Sequence, residues 1–305
     1  MPYSPFADSS PVAGGCGRPA PAKLNLGLRV LRKRPDGYHD LETVFVPIGW
    51  ADRLEAGPGA PGPSAAGLRL TCSDPDLPTG DGNLVVRAAR ALAAYGGVEP
   101  RAHLVLDKRV PYGAGLGGGS SDAAAALQLL VDLWGLNVPE AHLLGLAAGL
   151  GSDVPFFLHG FPALATGRGE RLTRLLGAGG TPWRCPFWLV VAVPQVHVST
   201  AEAYRAVTPD ASARPALAAA VVSDDLARWR REVANDFEGP VVARYPAVGA
   251  ARDALLRSGA GYASMSGSGS AVFGAFEDGD VARAAAEQLA TSGHRTWVEP
   301  PAVSP

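Results

Sequence analysis

Five glycines fall within the seven residues Gly113 to Gly119, inside the stretch Pro111-Tyr-Gly-Ala-Gly-Leu-Gly-Gly-Gly-Ser-Ser121. Glycine has no Cβ, so a run this dense lets the backbone bend sharply and bring its N–H groups close to a ligand. His103 to Val110 precedes it and reads as a strand. Ala124, Leu127, Val131 and Trp134 follow at helical spacing, so a helix is expected from Ser121 to about Trp134. A strand, a glycine-rich loop and a helix N-terminus together make a phosphate cradle, because first-turn N–H groups are free and the helix dipole is positive there. The pattern is not a Walker A loop, since Gly118 is followed by Gly119 rather than lysine. Gly113, Gly115 and Gly118 also spell GxGxxG, but a dinucleotide-binding fold would carry that motif after its first strand. The plain alternative is a glycine-rich turn capped by Ser120 or Ser121.

Composition narrows the class. The 305 residues suffice for two domains, and 47% hydrophobic with 18% charged residues allows a sizeable core. A net charge of −2 argues against a nucleic-acid coat or an anionic-membrane binder. Cys16, Cys72 and Cys185 stand far apart and build neither a metal motif nor a disulfide framework. They fit a reduced compartment. The sequence holds no apolar run long enough for a membrane span, and its first twenty residues lack the regions of a signal peptide, so a cytoplasmic location is expected. Residues 1–20 read as a loose tail, 21–180 as an N-terminal domain and 181–305 as a C-terminal one. Residues 56–67 read as a flexible insertion.

Ala22 to Val30 alternates, which predicts a half-buried strand with Leu24, Leu26, Leu28 and Val30 inward. Lys23, Asn25 and Arg29 then fall on the non-core face. Arg32 to His39 is a turn, and Leu41 to Ile48 a second strand. Leu68 to Cys72 suggests a strand and Asn83 to Tyr95 a helix. A further helix starts near Pro139, and Phe156 to Leu158 forms a short apolar turn after Pro155. Glycines at 167–169 and 177–180 flank the expected domain boundary. Beyond it come a strand at Phe187 to Val193, helical stretches near 201–207, 224–234 and 239–257, strands at Tyr262 and at Ala271 to Phe276, and a helix at Val281 to Ala290.

Four places carry candidate chemistry. Only three lysines occur against 24 arginines, so Lys23 and Lys108 suggest sites where a compact ammonium is wanted. Asp153, in Gly151-Ser-Asp-Val-Pro155, reads as an N-cap carboxylate; such a group stays ionised and so can accept a hydroxyl proton in phosphoryl transfer. Tyr38 and His39 end a turn and can stack on and hydrogen-bond a planar base, or simply pack. Ser266-Gly-Ser-Gly-Ser270 is a second loop placed to close the same pocket.

These segments resemble the GHMP kinase superfamily. The residues that carry the resemblance are Pro21-Ala-Lys-Leu-Asn25, Pro35-Asp-Gly-Tyr-His39, Asp81-Gly-Asn-Leu84, Lys108 to Ser121, Gly151 to Phe156, Asn235-Asp236 and Ser266 to Ser270. The resemblance implies a two-lobed α/β (α+β) fold, with an N-terminal domain like ribosomal protein S5 domain 2 and a ferredoxin-like C-terminal domain. It implies ATP with Mg²⁺, no dedicated protein metal cage, and a small-molecule acceptor, in the branch that matches best cytidine-diphosphate methylerythritol. Asp153 looks like the general base and Lys23 its partner. Pro111, Tyr112, Gly113, Ala114, Gly115, Leu116, Gly117, Gly118, Gly119, Ser120 and Ser121 would wrap the phosphates, and Asn83, Leu84 and Lys108 would lie near the nucleoside end of ATP. Asn25, Tyr38, His39, Thr200, Tyr204, Gly267 and Ser268 would hold the acceptor. Neither nucleic acid nor membrane is expected as a partner, and the chain would act as a monomer or homodimer. The rivals are another kinase of the superfamily, acting on mevalonate, phosphomevalonate or homoserine, and a non-catalytic nucleotide-binding module.

Overall fold

The computed structural model describes residues 16–59 and 67–302. Most of the expected insertion at 56–67, and the expected loose tail up to residue 15, lie outside the described residues. Two compact units divide the chain, each drawn from several stretches. The first takes its described residues from 16–22, 51–110 and 118–159, the second from 23–50, 111–117 and 160–302. The paired strands β1 (Cys16–Lys33) and β2 (His39–Gly57) run through both. β1 starts at Cys16, inside the stretch read as a tail.

In the first unit the end of β2 pairs antiparallel with β4 (Ala102–Asp107), and β4 pairs in parallel with β3 (Leu68–Cys72). α1 (Leu84–Gly96) makes the crossover. Asn83 Oδ1 caps it by accepting from Val85 N, and Val85, Ala89 and Leu92 on one face are buried. α2 (Gly118–Leu133) packs on α1 and on α4 (Val154–His159), with α3 (Glu140–Leu150) beside them. The alanines 123–126 of α2 are buried, and their small side chains permit close approach. α2 begins three residues before the expected Ser121. Gly113, Gly115 and Gly117 have positive φ but Gly118 and Gly119 do not, so these two already form helix.

In the second unit Leu41 to Phe45 of β2 pair antiparallel with β5 (Ala163–Gly167), which returns as β6 (Arg171–Arg174). Of the two glycine groups read as flanking a boundary, the first, 167–169, is this hairpin's turn, where Gly167 and Gly169 take φ of 71° and 110°. A four-stranded antiparallel sheet follows, built from β7 (Trp188–Val193), β8 (Tyr262–Met265), β9 (Val272–Phe276) and β10 (Arg295–Glu299) in the order β10-β7-β9-β8. Between β7 and β8 lie α5 (Thr200–Ala206), α6 (Leu217–Val221), α7 (Leu226–Glu232), α8 (Glu238–Arg244) and α9 (Pro246–Arg257). α10 (Gly279–Thr291) joins β9 to β10. α9 and α10 pack on the sheet and bury Leu255 and Leu289 with Val190, Ala192 and Phe276. The helix expected over 239–257 is two helices, broken at Tyr245-Pro246. Proline has no N–H to continue the ladder and disfavours helix in the residue before it.

One expectation is corrected. β1 is not half-buried: every residue from Ala22 to Val30 is buried. Lys23, Asn25 and Arg29 are 3%, 2% and 3% exposed, not on an open face. Arg29 bonds Glu42 and the Glu232 carbonyl, and the covers over Lys23 and Asn25 belong to the site itself.

Candidate active site

In the second unit the stretch 111–117 is laced to β1 and to the Gly/Ser loop 266–270 by backbone bonds. Lys23 N donates to Leu116 O at 2.9 Å, and Ala271 N to Ala114 O at 3.0 Å. The Gly115 carbonyl is the hub. It accepts from Lys23 Nζ at 2.9 Å and from Ser266 Oγ at 3.0 Å. Lys23 Nζ also donates to Asn25 Oδ1 at 2.5 Å and lies 5.2 Å from the Phe45 ring centre. Asn25 Nδ2 donates to Thr43 Oγ1, which donates to the Gly27 carbonyl, while Asn25 N donates to Ser266 Oγ. A buried ammonium is thereby aimed by an amide and a carbonyl.

Gly115 has no room for a side chain. A Cβ there would stand 2.2 Å from the Ser266 carbonyl oxygen, at a φ of +80°. Gly115→Ala is therefore expected to cost about 2 kcal/mol or more, with weaker nucleotide binding. Urea unfolding and nucleotide titration of the variant check this.

Four of the other second-unit candidates meet in two pairs. Thr200 Oγ1 and Ser268 Oγ are 3.0 Å apart. His39 and Tyr204 are stacked on each other, with ring centres at 5.0 Å and planes 25° apart. Tyr38 is 56% exposed and carries the Arg168 guanidinium over its ring at 5.0 Å. Burial and the nearby Lys33 charge hold His39 below the ordinary histidine pKa, so its imidazole is neutral at pH 7.

The first unit holds the remaining candidates. Gly118 to Ser121 form the first turn of α2, with Ser121 Oγ buried and without a hydrogen-bond partner among the described residues. Leu84 lies beside Gly119, and Asn83 is occupied as a helix cap. Asp153 is half-buried in the turn before α4, where Val154 N bonds the Gly151 carbonyl. Lys108 is not open to solvent: its buried ammonium lies between Asp52 at 2.5 Å and Asp122 at 2.8 Å. Loss of hydration raises the Asp122 pKa, and its neighbour Asp52 adds to the rise.

Sequence reasoning missed Thr43, and it named Ser266 and Asn235 only as parts of motifs, without the contacts they make. Asn235 Nδ2 donates to the Met265 and Gly267 carbonyls and holds the Gly/Ser loop from behind. Asp236 accepts from Val30 N and pairs with Arg214. The pair Asn235-Asp236 was visible as a motif, but its partners are distant backbone groups and one arginine, with no sequence signature.

In the second unit, a glycine loop with no room for a side chain at Gly115 and a buried lysine on its carbonyl suit a phosphate and a reacting hydroxyl. Residues 83–161 match the GHMP kinases N terminal domain and residues 215–295 the GHMP kinases C terminal domain. The chain belongs to the GHMP kinases. A protein of Salinibacter ruber named 4-diphosphocytidyl-2-C-methyl-D-erythritol kinase is 51% identical, over 92% of this chain and 97% of its own length. One of the same name from Prosthecochloris aestuarii is 46% identical over 89% and 92%. A crystal structure of 4-(cytidine 5'-diphospho)-2C-methyl-D-erythritol kinase superposes with a TM-score of 0.76 at 40% identity, covering 95% of this chain and all of that one. Within the GHMP kinases, the chain belongs to the family of 4-diphosphocytidyl-2-C-methyl-D-erythritol kinases. Homoserine kinase from Cytophaga hutchinsonii, at 18% identity and a TM-score of 0.67, shares the fold. No helix among the described residues is long and apolar enough to cross a membrane.

Proposed function

We infer that the chain transfers the γ-phosphate of ATP to the 2-hydroxyl of 4-diphosphocytidyl-2-C-methyl-D-erythritol, giving the 2-phosphate and ADP. The observation that carries the reading is full-length similarity to relatives of that name, at identities far above those shared with kinases of other acceptors. The buried Lys23–Asn25 pair on the Gly115 carbonyl supports it.

The proposed roles follow from the chemistry. In phosphoryl transfer the alcohol proton leaves late, so an ionised carboxylate is base enough to receive it. Asp153 takes that role. Lys23 offsets the charge developing on the oxygen, and Asn25 fixes the ammonium's direction. The stretch 111–121 offers backbone N–H groups to the phosphates, and Asn83 and Leu84 border the nucleoside of ATP. Thr200, Gly267 and Ser268 hold the acceptor's polar groups, while His39, Tyr38 and Tyr204 hold its cytosine. Mg²⁺ neutralises phosphate charge when bound. Among the described residues no group of three or more His, Cys, Asp or Glu side chains is arranged to hold a metal.

A coupled ATP-consumption assay tests the reading. Turnover is expected with the cytidylated acceptor and none with mevalonate or homoserine; the reverse pattern would overturn the assignment. His39→Ala should raise KM for the cytidylated acceptor about tenfold or more and leave KM for ATP within about twofold, the loss expected when a hydrogen-bonding group that reads the substrate is removed. Because burial holds the His39 pKa below the ordinary value of 6.5, protonation of its imidazole should raise the wild-type acceptor KM as the pH falls, with the midpoint of that rise below 6.5. Steady-state kinetics as a function of pH check both.

A further inference from the structure

Buried charge that no role above uses collects at the stem of the glycine-rich loop. We propose that Lys108, Asp52 and Asp122 form a clamp that fastens both stems of this loop at one point and so sets the affinity for ATP without touching it; the proposal rests on the kinase reading above.

Asp52, on β2, accepts from Arg109 N at 2.6 Å and Val110 N at 2.8 Å through Oδ1. Those residues lead into the loop at Pro111. Its other oxygen accepts from Lys108 Nζ. The same ammonium donates to Asp122 Oδ2, just past the first turn of α2, the helix by which the chain leaves the loop. The fit is close: a Cβ on Gly118 would lie 3.3 Å from Lys108 Nζ and 3.4 Å from Asp52 Oδ2. Residues 108–110 and Asp122 are therefore tied together through the Asp52 carboxylate and the Lys108 ammonium.

Such a trio is an expensive way to obtain stability, because burying two carboxylates around one ammonium costs desolvation that well-packed apolar groups avoid. It does something apolar groups cannot. It holds two backbone N–H groups and a helix turn to one point, and the spacing of the two stems decides where the loop's own N–H groups aim. A lysine ammonium is a compact point charge that can donate to both carboxylates at once. Lys108 thus acts as a positioning residue through the loop.

The test uses full-length Asp122→Asn and Asp52→Asn, titrated calorimetrically with a non-hydrolysable ATP analogue plus Mg²⁺ and separately with the cytidylated acceptor. Urea unfolding and amide exchange over 109–119 are followed alongside. The analogue's Kd should rise about tenfold in each folded variant, as displaced binding groups cost, with the acceptor's Kd changed by less than about twofold. Exchange at 109–119 should quicken. Analogue affinity unchanged in a folded variant, or equal weakening of both ligands, would overturn the clamp. Should Asp52→Asn not fold, Asp122→Asn decides, because it leaves the Lys108–Asp52 pair in place. A wild-type protein that binds no analogue would overturn the kinase reading and the clamp together, whereas failure in the variants alone removes only the clamp.

Discussion

Asp153→Asn is expected to lower kcat about a hundredfold or more while leaving ATP affinity within about twofold. The amide has the carboxylate's shape and one of its acceptor oxygens, but it cannot hold the proton that the acceptor hydroxyl must shed. The turn before α4 is held by the Val154 N to Gly151 carbonyl bond and by the buried Val154, Pro155 and Phe156, none of which depends on the carboxylate's charge. The fold should therefore survive. Steady-state kinetics give kcat, and calorimetric titration with the ATP analogue gives affinity. An unchanged kcat would remove Asp153 from the reaction.

Lys23→Met is expected to lower kcat by about two to three orders of magnitude, the loss typical when a preorganised charge is withdrawn from the developing oxyanion. A stability loss accompanies it, because Asn25 Oδ1 loses its close donor inside a 2% exposed residue. The Gly115 carbonyl keeps Ser266 Oγ and the loop keeps its backbone bonds at Lys23 N and Ala271 N, so nucleotide affinity should fall far less than kcat. Lys23→Arg should not restore turnover. The pocket bounded by Asn25, Gly115 and Phe45 suits a compact ammonium, and a guanidinium would push on the Gly115 carbonyl. Full activity in either variant would contradict the role given to the ammonium.

Local order was the part of this molecule most legible in its residues. The alternation of 22–30, the helical spacing after Ser121 and the glycine run between them all correspond to elements, because each rests on short-range geometry. Burial was not legible in the same way. Lys23 and Asn25 looked like solvated positions because their covers come from Gly115, 92 positions on from Lys23, and Ser266, 241 positions on from Asn25. Lys108 gave a hint as one of three lysines among many arginines, but Asp52 and Asp122 sit inside an ordinary strand and an alanine-rich helix. Nothing in their neighbours announces a buried trio. The β5–β6 hairpin escaped notice because its strands are short and its turn glycines look like a linker. β10, only partly buried at the sheet edge, lacks a clear alternation.

Phosphorus NMR of the completed reaction tests the central claim most directly. With ATP and cytidylated methylerythritol, the account expects ADP and one new phosphomonoester in equal amounts, with the acceptor's diphosphate intact. Inorganic phosphate in place of the monoester, or ATP left unconsumed, would contradict it.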